Sequence, residues 1–125
     1  MAKLKFSRDH EWVRLDGNIA TIGITDHAQT ALGDVVFVDL PEAGRQVAAG
    51  DAVAVVESVK AASDVYAPVG GTITESNAAL ADDPAMVNSA AQSEGWFFRM
   101  EVADPSELDA LMDAEAYQAF VDSEA

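Results

Sequence analysis

The sequence predicts a mainly β fold with short peripheral helices and a helical C-terminal segment. Residues 11–24 alternate apolar and polar side chains around the turn dipeptide Asp16-Gly17, which is typical of a β-hairpin. Residues 50–71 hold two further strand-like runs on either side of a short polar segment. Residues from 104 to about 122 carry apolar side chains at helical spacing, which predicts the C-terminal helical segment.

A short helix is expected directly after the first hairpin. Thr25 can cap this helix with its side-chain oxygen, and Gly33 is a natural stop after Leu32. His27 is expected to be a partly exposed residue of this helix rather than a metal ligand.

Two strands are expected next. Residues 34–40 form a strongly apolar strand that Pro41 ends. The run that begins at Ala52 leads through a second strand into a tight turn with Lys60 at its tip. Side chains of such a strand alternate between two faces. One face is expected to hold Val53, Val55 and Glu57, and the other Ala54, Val56 and Ser58.

A weak internal repeat relates the two sides of this turn. A shift of eighteen residues aligns Val47 with Val65, Ala49 with Ala67, Val55 with Ile73, Glu57 with Glu75 and Ser58 with Ser76. Such a repeat indicates two similar strand units related by an approximate two-fold axis, with Lys60 near their junction.

Turns, one strand and two helix starts complete the chain. Residues 77–88 are expected to form turns and a short helix that starts at Pro84, where a missing N–H group does no harm. Residues 89–95 are expected to form a polar loop. Residues 96–102 form a strand whose aromatic side chains close the core.

The C-terminal segment contains two helix starts. Asp104 supplies a capping carboxylate, and Glu107 occupies the capping-box position. A second helix starts at Asp113 and carries Tyr117 and Phe120 on its apolar face. Both helices are expected to pack against the sheet.

Composition narrows the functional classes. The 125 residues fit a single domain over 1–125, and the net charge of −15 disfavours nucleic acid and anionic membranes as partners. The chain has no cysteine, which excludes disulfides and thiol chemistry, and its two histidines are too few for a metal site. Residues 1–6 lack the apolar core of a signal peptide, so we expect a cytoplasmic protein.

Lys60 is the best candidate for a reactive side chain in this sequence. It is the only lysine after Lys5, and a lysine at an exposed tip is a nucleophilic amine that an enzyme can acylate. The plain alternative is a solubilising surface charge. The chain has neither a Gly-x-Ser-x-Gly elbow nor a phosphate loop, and Asp82-Asp83 is best interpreted as a solvated turn. These features favour a carrier over a catalyst.

Several motifs together resemble the H protein of the glycine cleavage system. They are Asp9-His10-Glu11-Trp12-Val13, Gly23-Ile24-Thr25-Asp26-His27-Ala28-Gln29, the run from Leu32 to Pro41, Glu57-Ser58-Val59-Lys60-Ala61-Ala62-Ser63-Asp64, Gly95-Trp96 and Asp104-Pro105-Ser106-Glu107-Leu108. The resemblance covers nearly the whole chain.

This resemblance implies the barrel-sandwich hybrid fold of lipoyl and biotinyl carriers, with lipoic acid amide-linked to Lys60. It implies a shuttle, not an enzyme, that carries an aminomethyl group from glycine decarboxylase (P protein) to aminomethyltransferase (T protein). Dihydrolipoamide dehydrogenase (L protein) would reoxidise the arm, and a lipoate ligase or an octanoyl/lipoyl transferase would complete the partners.

The resemblance also assigns roles to single residues. Glu57 matches an acidic residue that helps lipoylating enzymes recognise Lys60. Gly44 and Gly71 match glycines that shape the strand turns on either side of the lysine.

Two further acidic residues, Glu11 and Asp64, match positions near the cleft that shelters the loaded arm, with a surface charge as the alternative. Gly70 and Gln92-Ser93 depart from the family pattern. These departures concern the detailed structure of loops and do not affect the match at Lys60.

Other functions remain open at this point. A lipoyl carrier or lipoyl-relay protein for another pathway would also need Lys60. Biotin carriers usually flank their lysine with methionine, whereas Val59 and Ala61 stand here. An unmodified acidic binding domain is the alternative from a different class, and it does not need Lys60 at all.

Overall fold

Two antiparallel sheets dominate the computed structural model, which describes residues 3–124. The strands are β1 Lys3–Phe6, β2 Glu11–Asp16, β3 Ile19–Ile24, β4 Val35–Asp39, β5 Gln46–Val47, β6 Ala52–Ser58, β7 Ala62–Tyr66, β8 Gly71–Ser76 and β9 Phe98–Val102. The helices are α1 Asp26–Leu32, α2 Ala78–Asp82, α3 Met86–Ser89 and α4 Ala114–Glu124, with a 3₁₀ helix at Pro105–Ala110. Met1, Ala2 and Ala125, which the expected domain includes, lie outside the described residues.

The nine strands within residues 3–124 divide into two sheets whose strand order is consistent with the internal repeat. One sheet has the order β1-β2-β3-β9-β8-β5, and the other has the order β4-β6-β7. The mainly β architecture with short helices is therefore as predicted. The repeat relates β5 to β7 and β6 to β8. Strand β5 pairs with β8, and strand β6 pairs with β7, so this relation converts one strand pair into the other. The topology is thus compatible with the two-fold relation inferred from the repeat.

The structure confirms the first predicted hairpin, which consists of β2 and β3. Asp16 pairs with Ile19, and Gly17 turns the chain with a φ of 64°. Gly23 lies opposite Trp12, and a Cβ at Gly23 would approach Trp12 Nε1 to 2.8 Å. The glycine therefore makes room for the buried indole. Strand β1, which pairs with β2, was not predicted, since it is a short edge strand with weak patterning.

Helix α1 begins and ends as predicted. Thr25 Oγ1 accepts a hydrogen bond from the Ala28 N–H at 3.2 Å, and the Gly33 N–H donates to Gln29 O at 3.0 Å. Gly33 has a φ of 84°, a conformation that favours glycine. His27 is exposed on this helix, as expected.

The face assignment of β6 is partly wrong. Ala54 and Val56 are buried together as predicted, but Val53 is buried as well. The register with β7 shifts between Ala52 and Ala54, and this irregularity lets two consecutive residues face inward.

Residues 77–88 contain more helix than predicted. Asn77 Oδ1 accepts a hydrogen bond from the Ala79 N–H at 3.2 Å and so caps α2, a helix that the sequence patterns did not predict. Helix α3 begins at Met86, two residues after the predicted start at Pro84.

The C-terminal segment confirms both helix starts and corrects two details. Asp104 Oδ1 accepts from the Ser106 N–H at 3.1 Å, but the helix it caps is a 3₁₀ helix. Glu107 does not close a capping box in this structure: its Oε1 accepts from the Gly70 N–H at 2.9 Å and thereby ties the helix to the start of β8. Asp113 Oδ1 caps α4 by accepting from the Ala116 N–H at 2.8 Å.

Two groups of buried side chains form the interior. The larger group fills the space between the sheets and includes Ile22, Val56, Ile73, Phe97, Phe98 and Met100. The smaller group joins α4 to the first sheet through Phe6, Trp12 and Tyr117, and the rings of Phe6 and Tyr117 stack with centroids 4.6 Å apart. The C-terminal helix therefore packs on the sheet, as predicted.

Candidate functional site

The hairpin that carries Lys60 is held by its own backbone and by Ser58. The Ser58 N–H donates to Ala61 O at 2.8 Å, which closes the turn between β6 and β7. Ser58 Oγ accepts from the N–H groups of Lys60 and Ala61, both at 3.2 Å. Lys60 is exposed at the tip of this ordered turn, as predicted.

The side chain of Lys60 lies over the end of α1. A Cβ built on Gly33 would be 3.3 Å from Lys60 Cε and 3.8 Å from Nζ. The Val59 N–H donates to Asp34 O at 3.0 Å and fixes the turn to the segment that follows α1. Asn88 holds the same segment, because its Oδ1 accepts from the Val35 N–H and its Nδ2 donates to Gly33 O, both at 2.8 Å.

A cleft of about 220 Å³ is lined by residues of α1 and of both sheets. Its apolar lining comes from Ile24, Ala28, Ala31, Leu32, Val56 and Val65. Its polar lining comes from Asp9, His10, Glu11, Ser63 and Asp64. Leu32 precedes Gly33 in the chain, so a residue of the cleft is the sequence neighbour of the glycine near which the Lys60 side chain lies.

Glu11 is the most unusual side chain of the cleft, because only 1% of it is exposed. Its Oε1 accepts from the Ser7 hydroxyl at 2.8 Å, and its Oε2 accepts from the Tyr66 N–H at 2.9 Å. Burial raises the pKa of Glu11 to about 7, and the two hydrogen bonds oppose this increase. Glu11 therefore connects β2 of one sheet to β7 of the other.

Asp64 and His10 complete the polar part of the cleft. Asp64 is exposed on β7, and it lines the same cleft as Glu11. His10 has a φ of 65°, which is uncommon for a residue with a side chain. Its Nδ1 lies 2.8 Å from the Tyr117 hydroxyl, which in turn lies 2.7 Å from Thr25 Oγ1. The hydroxyl of Tyr117 thus joins α4 to the cap of α1.

The other predicted residues occupy different places. Glu57 is half-buried on β6, opposite Ala62, and belongs to the Lys60 hairpin. Gly44 turns the chain with a φ of 93°, and its N–H donates to Ile73 O at 2.7 Å. Gly71 pairs with Val102 in the six-stranded sheet. The two glycines therefore shape the strands around the hairpin and lie outside the turn itself.

A comparison with known proteins decides the family. The family model described as Glycine cleavage H-protein matches residues 4–124. A protein of Acidiphilium cryptum called Glycine cleavage system H protein is 69% identical over 121 residues, which cover 97% of this chain and 98% of the relative. A protein of the same description from Phenylobacterium zucineum is 64% identical over 118 residues, covering 94% and 98%.

The chain belongs to the glycine cleavage H-protein family. The crystal structure of a glycine cleavage system H protein from Mycobacterium marinum has a TM-score of 0.85 to this fold at 36% identity, and 94% of each chain is covered. The expectations of a barrel-sandwich hybrid fold and of an H protein, the lipoyl-bearing shuttle of the glycine cleavage system, are thereby confirmed.

Sequence reasoning missed several residues of this H-protein cleft. Ser63, Asp9 and His10 were not proposed as cleft residues, although all three stand in motifs that carry the family resemblance. Asn88 was expected in the short helix that starts at Pro84, and no sequence pattern around it could have revealed its hydrogen bonds to the segment from Gly33 to Val35. Among the described residues, no three His, Asp or Glu side chains are arranged to hold a metal ion.

Replacement of Gly71 with alanine is expected to destabilise the fold by about 3 kcal/mol. A Cβ at this position would lie 2.1 Å from Glu101 O, so β8 and β9 would have to separate. Urea unfolding would measure the effect. The exposed residue Thr74 on the same strand provides the control, and Thr74→Ala should change stability by less than about 0.5 kcal/mol. Equal stability of both variants would contradict this account of Gly71.

Proposed function

We propose that this chain carries lipoic acid on Lys60 and, as an H protein, moves an aminomethyl group between the enzymes of the glycine cleavage system. The observation that carries the proposal is the position of Lys60. It stands exposed on a turn with fixed backbone geometry, and its side chain lies near Gly33. Leu32, the residue before Gly33, lines a cleft that holds both apolar and acidic residues.

Attachment uses the amine of Lys60 as a nucleophile. In the ligase route, Nζ would lose one proton to solvent, attack the acyl carbon of lipoyl adenylate, and lose a second proton to solvent as the amide forms. The new bond is the C–N bond of the amide, the bond from the acyl carbon to AMP breaks, and AMP leaves. Glu57, three residues before the lysine, is proposed as part of the surface that the attaching enzyme recognises, and Gly44 and Gly71 as residues that present the hairpin.

The cleft fits the chemistry of a lipoyl arm. The arm is an aliphatic chain, and the apolar lining from α1, β3, β6 and β7 offers it a matching surface. When attached, the lipoyl group supplies a redox-active disulfide, which is the chemistry that a chain without cysteine lacks. Leu32, the residue before Gly33, and Ala28, one turn earlier on α1, both line the cleft and would contact the aliphatic part.

The acidic end of the cleft fits a cationic amine. The exposed carboxylate of Asp64 would offer a primary ammonium group a hydrogen-bond acceptor. Glu11 is buried with its oxygens engaged by Ser7 and Tyr66, so it would act on the ammonium group only through its charge when ionised. The surrounding walls would limit access of water, which protects a group prone to hydrolysis.

The chain is proposed to act as a carrier without catalysis of its own. The P, T and L proteins would supply the catalytic steps, and a lipoate ligase or an octanoyl/lipoyl transferase would supply the modification. Among the described residues, no helix is long and apolar enough to cross a membrane. A cytoplasmic location and a single domain over 1–125 remain part of the proposal.

Intact-mass measurement tests the proposal. Purified chain is incubated with lipoate, ATP and a lipoate ligase, peptide mapping locates the product, and the modified chain is added to the P, T and L proteins with glycine and tetrahydrofolate. One lipoyl group on Lys60 and glycine-dependent release of carbon dioxide are expected. A folded chain that gains no mass would refute the attachment, and modification without glycine cleavage would refute the pathway.

A further inference from the structure

Strand β4 exposes two consecutive large apolar side chains. Val36 is 56% exposed and Phe37 is 52% exposed, while Val35 and Val38 on either side of them are buried. A regular strand over a core alternates between faces, so one of two neighbouring residues should point inward. Both point to solvent here, and β4 therefore departs from regular strand geometry.

A β-bulge causes this exposure. Val35 pairs with Ser58 and Phe37 pairs with Glu57, so β4 advances by two residues while β6 advances by one. Val36 is the extra residue. The bulge shifts the phase of the strand, and Phe37 faces outward at a position where a regular strand would bury it. Bulges of this kind re-aim side chains and are common next to functional sites.

The bulge lies next to the Lys60 turn. Its partners on β6 are Ser58, which holds the turn, and Glu57. Val59, the residue directly before the lysine, is 67% exposed and is bonded to Asp34 at the start of the same strand segment. We call Val36, Phe37 and Val59 the apolar collar. The other large apolar residues found exposed within residues 3–124 are Leu4 and Ile19, both in the six-stranded sheet.

We propose that the apolar collar is the docking surface of the enzyme that acylates Lys60. The proposal rests on the attachment site proposed above. The acylating enzyme must bring its reaction centre to Nζ, so it has to cover the surface around the Lys60 turn, and β4 pairs with the β6 residues that lead into that turn. Enzymes that act at the far end of a completed arm do not need this contact, because the arm itself supplies the reach.

Charge defines the chemistry of the partner. Asp34 and Asp39 are exposed at the two ends of β4, and Glu57 is half-buried between the strand and the turn. The chain as a whole carries a net charge of −15. A matching partner surface has an apolar groove for Phe37 with basic side chains at its rim, since aromatic anchors inside a charged rim are typical of protein interfaces.

Acylation kinetics of the unmodified chain test the collar. The rate of mass gain with a lipoate ligase, lipoate and ATP gives kcat/KM for the wild type, Phe37→Ser and Val36→Ser. We expect at least a tenfold loss for Phe37→Ser, mainly through a higher KM, and a smaller loss for Val36→Ser. Phe37→Leu, which keeps an apolar side chain, should restore most of the rate.

Ile19→Ser is the matched control, because Ile19 is also exposed and apolar but lies on β3 in the other sheet. Its kcat/KM should stay within twofold of the wild type, and circular dichroism should show that every variant is folded. Equal acylation of Phe37→Ser and the wild type would overturn the collar proposal. The collar proposal would also be overturned if Phe37→Ser impaired only self-association, or impaired only the reactions that the chain undergoes after lipoylation. Absence of acylation in the wild type would instead refute the attachment at Lys60.

Discussion

Replacement of Lys60 with arginine is expected to reduce lipoylation and glycine cleavage to background. Arginine keeps the positive charge and the length of the side chain, but its guanidinium stays protonated and does not form the amide. A residue needed only for its charge would tolerate this change, whereas an attachment site would not. Intact mass after incubation with lipoate, ATP and a lipoate ligase measures the first effect, and carbon dioxide release from labelled glycine measures the second.

The structure predicts that the same variant folds normally. Lys60 is exposed, and the atoms that lie near Gly33 are those at the end of its side chain, which an arginine side chain can direct into solvent. The free energy of unfolding should therefore change by less than about 0.5 kcal/mol. Lys5→Arg in strand β1 is the control for a lysine outside the hairpin and should be lipoylated at the normal rate. Glycine cleavage by Lys60→Arg would refute the carrier function.

The parts of the fold that could be predicted are those that local sequence determines. The Asp16-Gly17 hairpin and the helix between Thr25 and Gly33 follow from turn and capping preferences, which act over a few residues. The prediction for Glu107 was wrong because its hydrogen bond goes to Gly70, far away in the sequence. The bulge at Val36 depends on pairing with β6, so the pattern of β4 alone could not reveal it.

The candidate site likewise has a part that local sequence predicts and a part that it does not. The position of Lys60 at a turn was visible in the sequence, because apolar runs flank a short polar segment. The cleft could not be assembled from patterns, since its walls come from α1, β3, β6, β7, the start of β2 and the segment before it. Glu11 and Asp64 were proposed only through the resemblance to the H-protein family. Nothing in the local sequence shows that Glu11, in a chain with 22 acidic residues, is buried.

Replacement of Glu11 with glutamine is expected to change how stability depends on pH. Burial raises the pKa of Glu11 from 4.5 to about 7 in the folded chain, so the folded state holds this proton more tightly than the unfolded state. The stabilisation from the protonated side chain is complete below pH 4.5 and is lost as the pH rises through 7. A difference of this size corresponds to about 3 kcal/mol.

The variant should therefore gain stability relative to the wild type as the pH increases from about 4.5 to about 8, by up to about 3 kcal/mol. Glutamine is nearly isosteric: its oxygen can accept from the Tyr66 N–H, and its amide can donate to Ser7 Oγ. Urea unfolding across this pH range measures the difference, in which the contributions of the other carboxyl groups cancel.

Glu42→Gln is the matched control, because Glu42 is exposed in a turn and its replacement removes the same charge from the chain. If the free energies of unfolding of Glu11→Gln and the wild type differ by an amount that does not change with pH, the buried carboxyl of Glu11 does not destabilise the folded state. If the expected dependence is found, the wild type retains an acid that reduces its own stability near neutral pH. Retention of such a group is typical of functional sites, and in this fold the group lies in the cleft that α1 lines, near whose end the Lys60 side chain lies.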